Sequence, residues 1–201
     1  EILSFCTPTR QIRLSAAVNG SGNATSFSQT TAYTEFNNWE EWTRLGFLDT
    51  AMPMEYNREY NPTYAARFRT AVTNDMVWKN NRELSVGQAA YLNYFDGTLA
   101  QMQYVRDIGA EGISTYDYWY PRGSDSDPDD PYHDPSWFPL VGSGFYATPA
   151  AVPTMRWRAA VTATEGTLWG RVMNWSTGKP VDNATVQVGS LSPVQTDGNG
   201  Y

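Results

Sequence analysis

The feature that most restricts the fold of this chain is an alternation of short strand-like runs with helix-like segments. Four runs are predicted as strands, over residues 13–18, 48–56, 84–91 and 112–118. Strands that are joined through helices run parallel, so the alternation predicts an α/β fold with a parallel sheet. Sheets of this kind place their chemistry at the carboxyl ends of the strands, which makes the last residues of each run the first candidates for a functional site.

The segments between these runs carry apolar residues at helical spacing. Residues 30–45 predict one amphipathic helix, because aromatic and leucine side chains recur every three positions. Residues 63–79 and 96–108 predict two further helices on the same grounds. Residues 121–148 are rich in proline and acidic residues and predict a long loop, and residues 149–158 predict a short closing helix.

The character of the sequence changes near residue 165. From residue 167 onward, short alternating segments separated by turn signals at 176–178 and 197–200 predict an antiparallel β module. The module stops after roughly three strands, fewer than a sandwich needs. We therefore expect two domains, an α/β domain over residues 1–160 and the start of a β-sandwich domain over residues 166–201. We also expect the sequence to be a piece of a longer protein.

The composition excludes several classes of function. The net charge of −7 argues against binding to nucleic acid and against docking on anionic lipid. No stretch is long and apolar enough to predict membrane insertion. A single cysteine and a single histidine exclude most Cys/His metal sites, so we predict no metal and no cofactor.

The predicted strands end in side chains that suit a sugar. Amide groups hydrogen-bond to hydroxyls, and aromatic rings stack on flat apolar ligand faces. The candidate substrate-binding residues are Asn19, Tyr56, Gln88, Tyr91, Asn93, Tyr118 and Trp119. Carbohydrate is therefore the leading substrate class, although a buried structural role for Gln88 and simple packing for Trp119 are equally open.

Two carboxylates are the candidates for catalysis, since hydrolysis of a glycosidic bond uses a pair of them about 5 Å or about 6.5–9.5 Å apart. Glu55 and Asp117 both lie at predicted strand ends. Glu55 would be the general acid, its pKa raised by apolar and aromatic neighbours. Asp117 would be the base, a stabiliser or a ligand for a sugar hydroxyl. The alternative is that both only bind hydroxyls or pair with arginine.

Two other acidic features have simpler interpretations. Asp49 begins its strand instead of ending it, so we expect a stabilising contact at the opposite end of the sheet. The acidic run over residues 125–130 offers oxygen ligands for calcium, but it lacks the glycine and terminal glutamate of an EF-hand loop. A solvated acidic loop and a calcium-stabilised surface module both remain open for that segment.

Five motifs in a fixed order carry a family resemblance. They are Trp39-Glu-Glu-Trp42, Gly46-Phe-Leu-Asp49, Met52-Pro-Met-Glu-Tyr56, Gly87-Gln-Ala-Ala-Tyr91 and Gly112-Ile-Ser-Thr-Tyr-Asp117. This order resembles the glycoside-hydrolase-like family ten proteins, which are bacterial envelope or secreted enzymes. The resemblance implies the last four βα units of a (β/α)8 TIM barrel. It also implies that the family's principal catalytic aspartate precedes this sequence, and that Glu55 stands where the family usually has asparagine.

The tail carries a second resemblance. Its motifs are Gly170-Arg-Val172, Thr177-Gly-Lys-Pro-Val181, Ala184-Thr-Val-Gln-Val188 and Thr196-Asp-Gly-Asn-Gly-Tyr201. They resemble the carboxypeptidase-regulatory-like β-sandwich domain. Such domains are accessory modules of secreted enzymes, and the resemblance implies no chemistry of their own.

Together these observations predict a glycoside hydrolase that acts on a polysaccharide, with the glycan of peptidoglycan as one candidate. The alternative is a non-catalytic carbohydrate-binding or cell-surface structural module. The resemblance implies an extracellular, cell-envelope or periplasmic location in a bacterium. Because a half-barrel has two open strand edges, we expect self-association or association with the missing half of the barrel.

Overall fold

The computed structural model describes residues 12–117, 134–159, 161–164, 166 and 168–201. The chain forms two compact units, Glu1–Thr164 and Glu165–Tyr201. In the parts of the chain that are described, no helix has both the length and the apolar character needed to cross a bilayer.

The first unit is built on a four-stranded sheet. Its strands are β1 (Ser15–Asn19), β2 (Thr50–Met54), β3 (Glu83–Ala89) and β4 (Gly112–Tyr116). They lie in the order β1-β2-β3-β4 and are all parallel, which confirms the predicted α/β fold with a parallel sheet. The register brings their carboxyl ends to one edge of the sheet, with Asn19 opposite Met54 and Ala89 opposite Tyr116.

Helices connect the strands. They are α1 (Thr31–Thr34), α2 (Trp39–Arg44), α3 (Pro62–Trp78), α4 (Phe95–Asp107) and α5 (Trp137–Ser143), with 3₁₀ turns at Phe27–Gln29, Ala90–Leu92 and Arg156–Arg158. The side chain of Asn61 accepts hydrogen bonds from two backbone N–H groups and caps α3, and Pro62 occupies its first position. Gly109 lies just beyond α4 with φ +84°, the left-handed conformation that commonly ends a helix.

The structure differs from the predicted helices in two segments. Residues 30–45 do not form one helix: Phe36 has φ 59°, and the segment is divided into α1 and α2. The side chain of Asn37 in this break accepts a hydrogen bond from the backbone N–H of Asn19. In the segment 149–158 only the 3₁₀ turn forms, whereas α5 lies within a region that was expected to be a loop.

The helices pack on one face of the sheet. Val18, Ala51, Leu84 and Val86 from the strands form a buried core with residues of α2, α3 and α4, among them Trp39, Phe68, Val72 and Val105. Side chains alternate between the two faces of a strand, and those on the opposite face are less covered. Ala17 and Ser114 are exposed there, and Met52 and Met54 are half-buried.

The second unit is small. Its strands β5 (Thr185–Val186) and β6 (Val194–Gln195) pair antiparallel. A further antiparallel bridge joins Met173 to Pro180. The alternating sequence and its turn signals led us to expect antiparallel pairing here.

Candidate functional site

Three tyrosines meet at the carboxyl ends of β2, β3 and β4. The rings of Tyr56 and Tyr116 are stacked with centroids 5.6 Å apart. Tyr91 makes edge-on contacts with both, at 6.3 Å to Tyr56 and 5.9 Å to Tyr116. We call Tyr56, Tyr91 and Tyr116 the tyrosine rim.

The strand register explains why these side chains converge. Tyr116 ends β4, and Tyr56 follows the end of β2 by two residues. Tyr91 lies in the 3₁₀ turn that follows β3. Tyr116 pairs with Ala89, which alternates with the core residues Leu84 and Val86, so the pleat directs the side chain of Tyr116 away from the helices. The ring of Tyr116 is 51% exposed, which leaves it open to a ligand.

Asp117 lies beside the tyrosine rim. Burial raises the pKa of the Tyr56 hydroxyl, and Tyr91, Tyr116 and the negative charge of Asp117 raise it further. The tyrosine therefore keeps its proton at physiological pH and offers a hydrogen-bond donor next to a carboxylate. Two of the predicted substrate-binding residues, Tyr56 and Tyr91, and one predicted catalytic residue, Asp117, thus share one neighbourhood. Tyr116 was not among the predicted substrate-binding residues, although it directly precedes Asp117.

Glu55 lies in a different environment. It is 2% exposed and accepts a short hydrogen bond from the N–H of Ser21, in the loop after β1. The hydroxyl of Ser21 lies 3.2 Å from the same carboxylate oxygen, and the same hydroxyl lies 3.3 Å from the carbonyl oxygen of Ala71 in α3. These contacts tie the end of β2 to the loop after β1 and to α3.

Burial raises the pKa of Glu55, in the predicted direction. The sequence attributed the shift to neighbouring apolar and aromatic side chains. In the structure, desolvation raises the pKa, whereas the Ser21 hydrogen bonds and the positive charge of Arg67 oppose the rise.

The sequence reasoning did not identify Asp75, a second buried carboxyl group next to Glu55. Asp75 is fully buried in α3, and the Ser21 hydroxyl beside it lies outside good hydrogen-bonding geometry for either carboxylate oxygen. Burial raises its pKa well above the usual value, and the charge of Glu55 raises it further. A signal was present in the sequence, because Asp75 follows Phe68 and Val72 on the buried stripe of α3.

The three asparagine and glutamine residues that were predicted to bind the sugar form hydrogen bonds within the protein. Gln88 is 1% exposed, and its Nε2 donates to the hydroxyl of Thr115 at 3.3 Å. Asn93 is 2% exposed and donates to the carbonyl oxygens of Asn57 and Ala89. Asn19 is half-buried and donates to the carboxylate of Glu35 at 2.7 Å. The side chain of Asn93 thus holds the loop after β2, whereas that of Gln88 joins β3 to β4.

Other predicted features lie outside the described residues or at the opposite end of the sheet. Tyr118, Trp119 and the acidic run 125–130 lie outside the described residues. Asp49 makes the stabilising contacts expected of it. It is fully buried, and it accepts hydrogen bonds from the N–H of Leu14, the indole of Trp157 and the guanidinium of Arg158.

Within the described ranges, no group of three or more His, Cys, Asp or Glu side chains is arranged to hold a metal ion. Comparison of the chain with family models, with curated proteins and with solved structures finds no match in any of the three.

Proposed function

We propose that this chain is part of a glycoside hydrolase and that its tyrosine rim binds a polysaccharide. The observation that carries the proposal is the convergence of Tyr56, Tyr91 and Tyr116 beside Asp117 at the carboxyl edge of a parallel sheet. Aromatic faces stack on the C–H faces of sugar rings. Phenol and carboxylate groups next to them hydrogen-bond to sugar hydroxyls.

The sheet supports a barrel as the complete fold. Parallel sheets are normally covered on both faces. Here the helices cover the face of Ala51 and Leu84, whereas Ala17 and Ser114 on the other face are exposed. A (β/α)8 barrel would cover that second face with the side chains of four more strands. This is the fold that the family resemblance implies.

In this proposal Asp117 supplies one of the two carboxyl groups that glycoside hydrolysis needs. Glu55 holds the loop after β1, because its carboxylate is buried and engaged by Ser21. The second catalytic carboxyl group is then the aspartate that the family resemblance places before this sequence. The small second unit serves as an accessory module of a secreted or envelope enzyme.

A non-catalytic carbohydrate-binding module is the second candidate. The observation that favours it is the burial of Glu55, which removes one of the two predicted catalytic carboxylates from contact with a ligand. The tyrosine rim has the same role in both proposals. An assay of polysaccharide binding therefore tests the feature that they share, and an assay of hydrolysis distinguishes between them.

Replacing Tyr116 with alanine tests the binding site. Tyr116→Ala removes a half-exposed ring and should weaken binding to soluble polysaccharides or to peptidoglycan glycan about five- to tenfold, or ~1–1.4 kcal/mol. Affinity electrophoresis measures the change. Phe47→Ala is the matched control, because Phe47 is 56% exposed and lies before the amino end of β2. Equal effects of the two substitutions would contradict the proposal.

Replacing Asp117 with asparagine separates the two candidate functions. In the complete enzyme, Asp117→Asn should lower sugar release at least a hundredfold while polysaccharide binding changes little, since a general acid or base contributes about 10²–10⁴-fold to the rate. Reducing-end assays measure the release. Sugar release at the unaltered rate would exclude Asp117 from the chemistry and leave the binding module as the better proposal.

A further inference from the structure

A second group of aromatic and acidic side chains lies close to the rim residues Tyr56 and Tyr91, just beyond β2 and β3. The loop after β2 supplies Glu59 and Tyr60, the loop after β3 supplies Tyr94, and the first turn of α4 supplies Asp96. With Asn93 and Gly97 they line a pocket of about 230 Å³. Pockets for drug-sized ligands measure about 300–1,000 Å³, so this volume suits one small unit such as a single sugar ring.

The pocket repeats the arrangement of the rim. Tyr60 and Tyr94 have ring centroids 6.1 Å apart, and each lies three or four residues after a rim tyrosine on the same loop. Tyr60 is 50% exposed, so its ring is available to a ligand. The two loops therefore carry two successive pairs of aromatic rings, as expected for a surface that binds successive sugars of one chain.

Buried hydrogen bonds hold the pocket in shape before any ligand binds. Asn93 Oδ1 accepts from the N–H of Glu59 and its Nδ2 donates to Asn57, which joins the two loops directly. Gln101, which is fully buried in α4, donates to the carbonyl oxygen of Asn57 at 3.0 Å. Because these groups are already fixed, a ligand that enters the pocket loses little affinity to the ordering of the protein.

The charges of the pocket restrict the ligand. Glu59 forms an ion pair with Arg69, so its charge is balanced. Asp96 is exposed and accepts a hydrogen bond from the N–H of Gly97 at 2.8 Å. In the part of the chain that the structure describes, Asp96 forms no ion pair with a cationic side chain. The lining therefore carries excess negative charge, which disfavours a uronic acid or a phosphorylated sugar.

We infer that the pocket of Tyr60, Tyr94 and Asp96 is a further sugar subsite that accepts an uncharged sugar ring and discriminates against an acidic one. This inference rests on the proposed function, because it assigns part of the same glycan chain to this pocket. Tyr60 and Tyr94 would contact the apolar face of the ring. Asp96 would accept hydrogen bonds from its hydroxyls, whereas both carboxylate oxygens of Glu59 are already engaged by Arg69.

Two substitutions test the subsite. Asp96→Asn removes the charge and can still accept the Gly97 hydrogen bond, and Tyr94→Ala removes one wall. Calorimetry would compare a length series of neutral N-acetylglucosamine oligosaccharides with a polyuronate series. Tyr94→Ala should lower affinity for the longer neutral oligosaccharides about fivefold. Asp96→Asn should lower the preference for neutral over acidic oligosaccharides by a similar factor. Asp107→Asn, near the other end of α4, is the matched control for charge.

The outcomes separate this inference from the proposed function. If Tyr116→Ala weakens binding but both pocket variants keep the affinity and the charge preference of the original protein, the subsite is excluded and the tyrosine rim stands. If the original protein binds none of the oligosaccharides, the proposed function fails and the inference fails with it. Loss of charge preference in Asp96→Asn but not in Asp107→Asn supports the subsite.

Discussion

At the scale of single residues, the buried pair of Glu55 and Asp75 should make stability depend on pH. Burial raises the pKa of both groups, so the native state keeps protons that the unfolded chain releases. The free energy of unfolding should therefore fall as the pH rises from the ordinary carboxyl pKa to the raised pKa of the native state. Above the native pKa this loss of stability is complete. Asp75→Asn mimics the protonated form, and urea unfolding at pH 4 and pH 8 measures the effect.

We expect Asp75→Asn to stabilise the protein by at least about 1–3 kcal/mol at pH 8 and to have little effect at pH 4, since an unsatisfied buried polar group costs about that much and a charged group costs more. Asp107→Asn is the control, because Asp107 is exposed and bonded to Gln103 within α4. An equal change in stability at both pH values would show that the charge of Asp75 does not matter.

Tyr56, Tyr91 and Glu55 show which features of single residues the sequence can predict. The position of Tyr56 and Tyr91 just beyond β2 and β3 could be predicted, because the ends of the strand-like runs are visible in the sequence and the carboxyl ends of parallel strands meet on one side of a sheet. The environment of Glu55 did not follow, because its partners Ser21 and Asp75 are 34 and 20 positions away in the sequence. Contacts between such distant positions depend on how α3 packs on β2, and no local pattern encodes them.

At the scale of elements, the amino ends of the strands are held by charged side chains. Asp49 is joined to Arg158 before β2, and Glu83 at the start of β3 is joined to Arg13. Glu111, just before β4, is joined to Lys79. In the proposed function, ion pairs at the amino ends of the strands stabilise the sheet and tyrosines at the carboxyl ends bind the ligand, as in barrels whose chemistry lies at the carboxyl ends of the strands.

Asp49→Asn should therefore reduce stability without affecting binding. Removing one partner of a buried ion pair costs about 3–5 kcal/mol, and we expect about 2–4 kcal/mol here because the side chain of Arg158 remains 16% exposed. Urea unfolding measures the loss, and affinity electrophoresis checks the binding. Glu41→Gln breaks the more exposed pair with Arg44 and should cost less than about 1 kcal/mol. Similar losses in both variants would contradict the assignment of Asp49.

Helices differ in how well their sequence determines them. The regions of α3 and α4 were predicted because their apolar stripes are long and their ends carry Asn61 and Gly109. The region of α1 and α2 was predicted as one helix because its aromatic residues recur at helical spacing. That spacing says nothing about Asn37, whose side chain instead binds the backbone of Asn19 and supports the break between the helices.

At the scale of the whole molecule, the open sheet leads us to expect self-association. Among the described residues, β1 pairs only with β2 and β4 only with β3, so the outer strands β1 and β4 each have one unpaired edge. Free edges pair with other chains unless charge blocks them. Ala17 in β1 and Ser114 in β4 are both exposed and uncharged. Light scattering over a concentration series should give a mass above the 22.5 kDa of one chain.

Adding charge at both edges should reverse the association. The double variant Ala17→Lys, Ser114→Lys places a lysine on each edge strand and should restore the mass of a single chain, because pairing would then bury unpaired charge. Val77→Lys is the control, since Val77 is 71% exposed on α3 and lies on a helix instead of a strand. A single-chain mass for the unaltered protein at every concentration would contradict the expectation. If the double variant still associates, the contact between chains lies away from these edges.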